Sequence, residues 1–255
     1  MPREIITIQV GQCGNQIGAR FWDLLLQEHA ITNKKPLFDE AMSSFFRNVD
    51  SNSGTTIPLP KDGSKTPIES LRARAVIVDT EQGVTNKLLK SDLGELFEAK
   101  QFITDVSGAG NNWAHGHAFY GPKYHEQLME RMRKTAEECS SLQSFFLIHS
   151  LGGGTGSGLG TYILKQLEDE YPGVFRFTTS IFPSGDDDVV TSPYNSVLAL
   201  NQLIQHSDCA LPVDNEALMR MATKAGENPN SNDKDNKGDD SKKYFGTMNL
   251  LVAHL

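Results

Sequence analysis

The stretch LGGGTGSGLG at residues 151–160 decides the fold, because it joins an apolar run at 145–148 to an amphipathic helix pattern. Backbone without side chains lets amide N–H groups crowd around phosphate oxygens, and the following helix contributes the positive end of its dipole. The hydroxyls of Thr155 and Ser157 add two more donors. A turn used only for close packing needs fewer glycines. The stretch therefore predicts a phosphate cradle and a bound nucleotide.

Two common nucleotide fingerprints do not describe this stretch. A Walker A loop ends in Gly-Lys-Ser/Thr, and no lysine lies between Gly152 and Gly160. The glycine spacing also does not give G-x-G-x-x-G, the pattern of dinucleotide-binding turns. Both P-loop NTPases and ordinary NAD-binding proteins are therefore disfavoured.

Composition limits the class of protein. At 255 residues the chain is long enough for one large α/β domain or two small ones. Its net charge of −8 disfavours nucleic acid or an anionic membrane as the main partner. Cys13, Cys139 and Cys209 show no metal-ligand spacing and suit a reducing compartment. The first residues lack the apolar core of a signal peptide, and no run is apolar enough to predict a membrane span.

Apolar runs alternate with helical patterns along the chain. Strands are predicted at 5–10, 73–79, 101–104, 145–149, 176–182 and 209–213. Three helices are predicted between them, with apolar faces formed by Ile17, Phe21, Leu24 and Leu25, by Leu159, Ile163, Leu164 and Leu167, and by Val197, Leu200 and Ile204. This alternation predicts an α/β fold, a Rossmann-like parallel sheet with helices on both faces. Ligands of such sheets bind beyond the carboxyl ends of the strands.

Each predicted strand ends at a polar or glycine-rich loop. These loops are 11–18, 79–81, 108–113, 152–158, 183–188 and 214–215. Asp79 and Glu81 are suited to hold a hydrated Mg²⁺ beside phosphates. The acidic run at 183–188 offers acceptors for ribose hydroxyls, although such runs are usually solvated loops. The convergence of these loops is a stronger indication of a binding site than any single loop.

Two residues near the end of the chain suggest how a base is read. Phe245 and Asn249 lie four apart at the start of a predicted helix and therefore share a face. A ring can stack on a purine while a carboxamide pairs with its edge. Without further context, Phe245 is equally well explained as an ordinary core aromatic, and Cys13 as a small buried hydrophobe.

The order of these motifs resembles the tubulin family. The segments 11–18, 108–114, 152–158, 192–195 and 214–218 are similar to its nucleotide loops in the same order. The resemblance implies GTP or GDP binding with Mg²⁺ in a tubulin-type GTPase domain, with Phe245 as the stacking aromatic and Asn249 as the guanine-reading residue. It also implies that Asn15 and Asn215 lie near base and ribose and that Cys13 lies close to the base.

The candidate residues follow from the loops and the resemblance together. The nucleotide-binding candidates are Gly11, Gln12, Cys13, Asn15, Gln16, Ala109, Gly110, Asn111, Ser150, Gly153, Gly154, Thr155, Gly156, Asp188, Asn215, Phe245 and Asn249. The metal candidates are Asp79 and Glu81. No catalytic residue is assigned.

Several positions depart from the common tubulins. Ser192 replaces the glutamate that alpha- and beta-tubulin carry before Pro-Tyr-Asn, which leaves Asp188 as the candidate for a ribose contact. The segment 79–82 keeps both carboxylates of the family motif. The segments 43–50 and 182–188 are most similar to one minor class of the family.

The domain expectation is a single nucleotide-binding domain over 1–255 that ends within the family's central helix. A polar loop is predicted at 50–67 and a disordered polar insertion at 225–243. The intermediate and C-terminal domains are expected to be absent. In tubulins a loop beyond the central helix activates the nucleotide of the next subunit, so GTP hydrolysis is expected only in an assembled full-length protein.

The resemblance implies a cytoskeletal protein of centrioles or basal bodies in the cytoplasm. Its expected partners are guanine nucleotide, other tubulins with delta-tubulin among them, and centriolar proteins, but neither nucleic acid nor membrane. Two alternatives stay open. One is a dinucleotide-dependent enzyme on a Rossmann-like sheet, and the other is a different member of the tubulin family, including a bacterial cell-division relative.

Overall fold

The computed structural model describes residues 3–33, 35–60, 62–185, 187–226 and 240–255, with backbone alone for 225–226 and 240–244. Its strands are β1 (Glu4–Val10), β2 (Leu37–Phe38), β3 (Phe46–Val49), β4 (Thr66–Pro67), β5 (Ser70–Ala73), β6 (Ala75–Asp79), β7 (Phe102–Thr104), β8 (Leu142–Ser150), β9 (Phe175–Phe182) and β10 (Cys209–Asp214). Its helices are α1 (Gly11–Thr32), α2 (Glu40–Ser43), α3 (Gln82–Leu89), α4 (Gly121–Glu137), α5 (Gly160–Glu170), α6 (Ser192–His206), α7 (Asn215–Gly226) and α8 (Asp240–Ala253). Two π-helical turns, His115–Tyr120 and Thr155–Leu159, precede α4 and α5, and short 3₁₀ turns lie at Asp92–Leu96 and Ala99–Gln101.

The main sheet is parallel, with the order β10-β9-β8-β1-β6-β7. β1 lies in the middle, where Ile8 is opposite Leu147 on one side and Val76 on the other. The predicted Rossmann-like α/β fold is thereby confirmed. Because all these strands run the same way, their carboxyl ends and the loops that follow them lie along one edge.

Alternation along the strands creates an apolar core on each face of the sheet. Ile6, Ile8 and Val10 of β1 pack on the side of α4, α5 and α6. On the opposite face, Ile148 belongs to a cluster with Ile17 of α1 and with residues of α7 and α8. A further cluster on that face surrounds the fully buried Trp22. A strand buried on both faces is the expected pattern for a parallel sheet.

The predicted helix faces have different outcomes. On α5 and the turn before it, the four predicted apolar residues are all buried in the core. On α6 the prediction is wrong, because Val197 and Ile204 are 66% and 81% exposed and Leu200 is only partly buried. The helix instead buries Ser192, Asn195, Ser196, Ala199 and Leu203. Its inward polar side chains bond to loop backbone, so hydrogen bonding rather than apolar area sets its orientation.

The strand predicted at 73–79 is two strands. Ala73 ends β5, which pairs antiparallel with β3, while β6 begins at Ala75 in the main sheet. Between them lies the buried Arg74, whose Nη2 donates to the Glu4 carboxylate over 2.6 Å. The same carboxylate accepts from the backbone N–H of Ser141. The break thus places a buried ion pair at the amino-terminal edge of the sheet.

Only parts of the polar segments predicted at 50–67 and 225–243 are among the residues that the structure describes. Within 50–67 the chain forms turns, the strand β4 and a bridge between Val49 and Thr56, so this loop is structured by the hydrogen bonds it makes. The insertion predicted at 225–243 falls largely on 227–239, outside the described residues. Among the helices that are described, none is both long and apolar enough to cross a membrane.

Glu4→Gln should strongly destabilise the fold. The change leaves the buried Arg74 guanidinium without a counter-charge, and breaking a buried pair in this way costs about 3–5 kcal/mol. Chemical denaturation measures the loss in the free energy of unfolding. The matched control is Glu130→Gln, which removes an exposed partner of Arg133 and should have a much smaller effect. Equal losses in the two variants would show that Arg74 does not depend on Glu4.

Candidate functional site

A cavity of about 470 Å³ lies at the carboxyl edge of the main sheet. Each of the loops that follow its strands contributes to the wall, and so do α7 and α8. Among the predicted residues, the wall contains Gly11, Gln12, Cys13, Gln16, Asp79, Glu81, Ala109, Gly110, Asn111, Ser150, Gly153, Gly154, Thr155, Gly156, Asn215, Phe245 and Asn249. The volume lies in the range of small-molecule sites. We call this space the loop cavity.

The glycine-rich stretch forms one wall of the loop cavity and the start of a helix. Its first part is a loop, and helical structure already begins around Thr155 as a π-helical turn that continues into α5. A Cβ on Gly154 would lie 2.6 Å from the Asn112 nitrogen, and one on Gly156 2.8 Å from the Ser150 oxygen. Gly153 differs, because the nearest atoms to a Cβ there are 3.9 Å away. Gly153 therefore faces open space in the cavity, whereas Gly154 and Gly156 pack against backbone.

A buried histidine of the main sheet forms a hydrogen bond to the glycine-rich stretch. His149 of β8 is fully buried, and its Nδ1 lies 2.8 Å from the Gly156 carbonyl oxygen. Its Nε2 lies 2.9 Å from the Ser180 hydroxyl. A carbonyl can only accept, so Nδ1 carries the proton and Nε2 accepts from Ser180. Burial lowers the pKa of His149 to about 4, which keeps the ring neutral.

The loop after β7 forms a second wall, in an unusual backbone conformation. Gly108, Gly110 and Asn111 have φ angles of 46°, 57° and 53°. Asn111 is the one non-glycine residue with positive φ among those described. This conformation costs energy for a residue with a side chain, and it needs support from its surroundings. The support comes from α6, where Asn195 and Thr191 both donate to the Asn111 carbonyl oxygen.

Asp79 and Glu81 lie in the wall at the end of β6. Burial raises the pKa of Asp79 to about 6, although the Glu81 backbone N–H opposes this rise by donating to the carboxylate. Asp79 Oδ2 is buried and has no hydrogen-bond partner among the described residues. A buried carboxylate oxygen without a partner, lining a cavity, fits a cation ligand. No group of three or more His, Cys, Asp or Glu residues surrounds this point in the described part of the chain.

The opposite end of the cavity is more apolar. Phe245 and Asn249 lie on the same face of α8 and both line the wall, as their spacing predicted. The helix begins earlier than expected, at Asp240, so these residues are not in its first turn. Leu218 of α7 lies close by, and the Phe245 ring is 51% exposed. Cys13 also lies in the wall, and burial raises the pKa of its thiol to about 12, so it is protonated and unreactive at neutral pH.

Two predicted residues lie outside the wall. Asn15 is fully buried behind it, where its amide donates to the carbonyl oxygens of Gly11 and Val78 and ties α1 to β6. Asp188 is exposed, and its neighbour Asp187 lines the cavity instead. Ser192 donates to Asp187 Oδ2 over 3.0 Å. The residue that replaces the family glutamate thus orients a nearby carboxylate.

The list of individual candidates also omitted several residues of the wall. These are Ile17, Gly152, Ile181, Phe182, Pro183, Asp187, Leu218, Met248 and Val252. Four of them, Ile17, Gly152, Pro183 and Asp187, lie in the loops 11–18, 152–158 and 183–188, which the sequence already predicts at the site. The helical period could have identified Met248 and Val252, because they lie three and seven residues after Phe245 on the same face. The residues of β9 and α7 carry no comparable signal, since apolar side chains are common in any strand or helix core.

Comparison with known proteins agrees with this geometry. Residues 4–223 match the model of the Tubulin/FtsZ family, GTPase domain. The chain belongs to the tubulin family. It is 57% identical to the tubulin epsilon chain of Homo sapiens over 222 residues, which cover 86% of this chain and 46% of the human one. It is 51% identical to the tubulin epsilon chain of Mus musculus over 267 residues, covering 98% and 55% of the two chains.

Similarity extends to other tubulins at a lower level. The tubulin beta-1 chain of Homo sapiens is 40% identical over 223 residues, covering 85% of this chain and 46% of the human one. The minor class that the segments at 43–50 and 182–188 resemble is the epsilon class, and similarity to that class is confirmed over most of the chain. The chain spans about half the length of the curated relatives it matches.

Gly153→Val should abolish ligand binding in the loop cavity while leaving the fold intact. The new side chain enters open space near Asn111 and Ser150, and Gly153 does not have a positive φ. Its volume would occupy the room that phosphate oxygens need beside the backbone amides. Calorimetric titration with GTP measures the loss, and thermal unfolding checks the fold.

Gly173→Val is the matched control, because a Cβ there meets nothing within 4 Å, so the valine is accommodated as at Gly153 but lies far from the cavity. This variant should bind as the parent chain does. Gly154 is unsuitable for this test, because valine there would collide with the 108–113 loop and disturb the fold itself. Unchanged GTP binding by a folded Gly153→Val chain would place the phosphates elsewhere.

His149 should lower the stability of the chain as the pH falls from about 6.5 towards 4. The pKa of His149 is about 4 in the folded chain against an ordinary 6.5, so the unfolded chain binds the extra proton more readily. The full loss from this group is about 3 kcal/mol. The raised pKa of Asp79 acts in the opposite direction over the same range, so the His149 contribution is measured as the difference between the parent chain and His149→Gln in urea denaturation at each pH. That difference should shrink as the pH falls, whereas His115→Gln, at an exposed site, should follow the parent chain. A parent-like slope in His149→Gln would contradict the assignment.

Proposed function

We propose that this chain binds GTP or GDP in the loop cavity. The observation that carries the proposal is that one cavity joins a glycine-rich cradle at 152–156 to the pair Phe245 and Asn249. Phosphates need closely spaced amide donors, and a purine needs a flat apolar partner with a polar group at its edge. The GTPase-domain match over residues 4–223 supports the same ligand.

Asn249 is the residue proposed to recognise the guanine base through hydrogen bonds. The carboxamide has a donor and an acceptor, which can pair with the donor and acceptor groups along the guanine edge. Phe245 would stack on the ring, and its 51% exposure leaves a face free for such a contact. Adenine presents the opposite donor and acceptor pattern at the corresponding edge atoms, so it would leave Asn249 unsatisfied.

Asp79 and Glu81 are the proposed ligands for Mg²⁺. The unpartnered Asp79 Oδ2 supports this assignment, as does the location of both residues beside the phosphate loops. Mg²⁺ usually takes one or two carboxylates and completes its shell with phosphate oxygens and water. When bound, the ion would neutralise phosphate charge. The carboxylates of this chain hold it in place, and Thr80 bonds to Thr155 to fix their loop against the cradle.

The ribose contact is proposed for Asp187, beside the predicted Asp188. Asp187 lies in the cavity wall, and the hydroxyl of Ser192 holds one of its oxygens. The other oxygen can accept a hydrogen bond from a sugar hydroxyl. In this arrangement the serine compensates for the missing family glutamate by orienting a carboxylate from the preceding loop.

A role in centriole or basal-body microtubule organisation is proposed from the similarity to epsilon tubulins. The proposed partners are other tubulins, delta-tubulin among them, and centriolar proteins. We further propose that hydrolysis occurs when a neighbouring subunit completes the site in an assembled full-length protein, and we assign no catalytic residue. The family match favours this role over a dinucleotide-dependent enzyme.

The chain should prefer guanine over adenine nucleotides. Because adenine cannot pair with Asn249, bound ATP would leave that carboxamide without hydrogen-bond partners. Binding of ATP should therefore be about 1–3 kcal/mol weaker than binding of GTP. A competition titration of GTP against ATP measures the preference. Asn249→Ala should weaken GTP binding and reduce the preference, whereas Phe245→Leu should weaken both nucleotides and leave their ratio nearly unchanged. Equal affinity of the parent chain for GTP and ATP would refute the guanine assignment.

A further inference from the structure

The carboxamide of Asn195 connects two neighbouring loops that both line the cavity, 108–113 and the glycine-rich loop. Its Oδ1 accepts from the Trp113 backbone N–H over 2.9 Å. Its Nδ2 donates to the Asn111 carbonyl oxygen at 2.9 Å and to the Gly152 carbonyl oxygen at 2.8 Å. The side chain is 3% exposed. One buried side chain of α6 therefore holds both the 108–113 loop and the glycine-rich loop.

These bonds use the whole donor capacity of the amide. Its two N–H groups are directed to two carbonyl oxygens in different loops, and its oxygen accepts a hydrogen bond from a third backbone group, the Trp113 N–H. No apolar side chain of similar size could make these bonds. Burying an asparagine is costly unless it is fully paired, so the pairing explains why α6 turns this residue inward.

The segment that Asn195 holds, 111–113, begins with the residue that has the unfavourable backbone conformation. Both peptide groups that flank Asn112 are fixed, one through the Asn111 carbonyl and the other through the Trp113 N–H. Asn111 has a φ of 53°, and Thr191 adds a second donor to its carbonyl, at 2.6 Å. Without these bonds the segment could relax to more favourable angles. The amides of Gly110 and Asn111 would then no longer keep their place in the wall.

The 108–113 loop also lies against the proposed magnesium ligands. A Cβ on Gly108 would collide with the Glu81 carboxylate, and the Tyr120 hydroxyl donates to the Gly108 carbonyl oxygen. Asp79 and Glu81 would hold Mg²⁺, which would supply positive charge beside the phosphates of a bound nucleotide. The loop that Asn195 fixes therefore lies on the side of the cavity where that charge would neutralise phosphates.

We propose that Asn195 is a positioning residue that sets the spacing of the two phosphate loops and thereby the preference of the chain for a triphosphate over a diphosphate. The inference rests on the proposed binding of guanine nucleotides. A diphosphate can be held by the glycine-rich loop alone. A triphosphate needs amides from both loops at a fixed separation, and Asn195 provides that separation.

The test compares two affinities in the presence of Mg²⁺. Calorimetry on the 255-residue chain gives the Kd of a non-hydrolysable GTP analogue and the Kd of GDP, for the parent and for Asn195→Ala. The variant should bind the analogue about tenfold more weakly, the effect of losing one or two well-placed hydrogen bonds, and GDP less than about threefold more weakly. Asn201→Ala, an exposed asparagine of the same helix, is the matched control and should change neither Kd.

The ratio of the two Kd values separates positioning from a structural role. Equal weakening of both nucleotides, or an unchanged ratio in a folded Asn195→Ala chain, would overturn the inference while leaving the proposed function intact. Failure of the parent chain to bind either nucleotide would overturn both. If Asn195→Ala does not fold, Thr191→Val removes a single exposed donor to the Asn111 carbonyl. This variant should shift the ratio in the same direction by a smaller factor, and an unchanged ratio would again contradict the inference.

Discussion

The structure depends on a direct approach of backbone to backbone between the glycine-rich segment and a second segment that has a glycine, Gly116, at the contact. The π-helical turn at 115–120 packs against the segment at 154–159 with no side chain between them. A Cβ on Gly158 would lie 2.8 Å from the His117 nitrogen, and one on Gly116 would meet the backbone of Gly154 and Leu159. Any other residue at these positions would force the two segments apart. The loops that precede both turns are thereby held at a fixed separation along the sheet edge.

The rest of the site builds on this contact. The Trp113 ring stacks on His117 at 4.4 Å, and His117 in turn lies near the Gly158 carbonyl, so aromatic packing closes the same junction from outside. From the sheet side, His149 reaches the Gly156 carbonyl. The cavity wall is therefore formed by backbone groups that are held by neutral, buried partners. Charged side chains enter the cavity at the end that contains Asp79 and Glu81 and, with Asp187, at the loop after β9.

Much of the fold and most of the site could be predicted from the sequence, because local periodicity decides them. Apolar runs identified the strands of the main sheet, and their alternation with helical patterns predicted the parallel arrangement that places the following loops at one edge. The four-residue spacing of Phe245 and Asn249 was enough to put both into one cavity. What escaped prediction depends on hydrogen bonds between distant segments. Arg74 interrupts an apolar run to reach Glu4, and α6 exposes Val197 because Asn195 must face inward.

The positive-φ turn at 108–111 has a consequence for how fast and how tightly the cavity can bind. A flexible loop loses conformational entropy each time it closes on a ligand, and that loss reduces affinity. Here the turn is fixed by hydrogen bonds from Asn195 and Thr191, which belong to the chain itself. The conformational entropy of this turn is lost when the chain folds and is not lost again when a ligand binds. The hydrogen-bond donors of the turn are therefore already in place, and association needs no slow rearrangement of this wall.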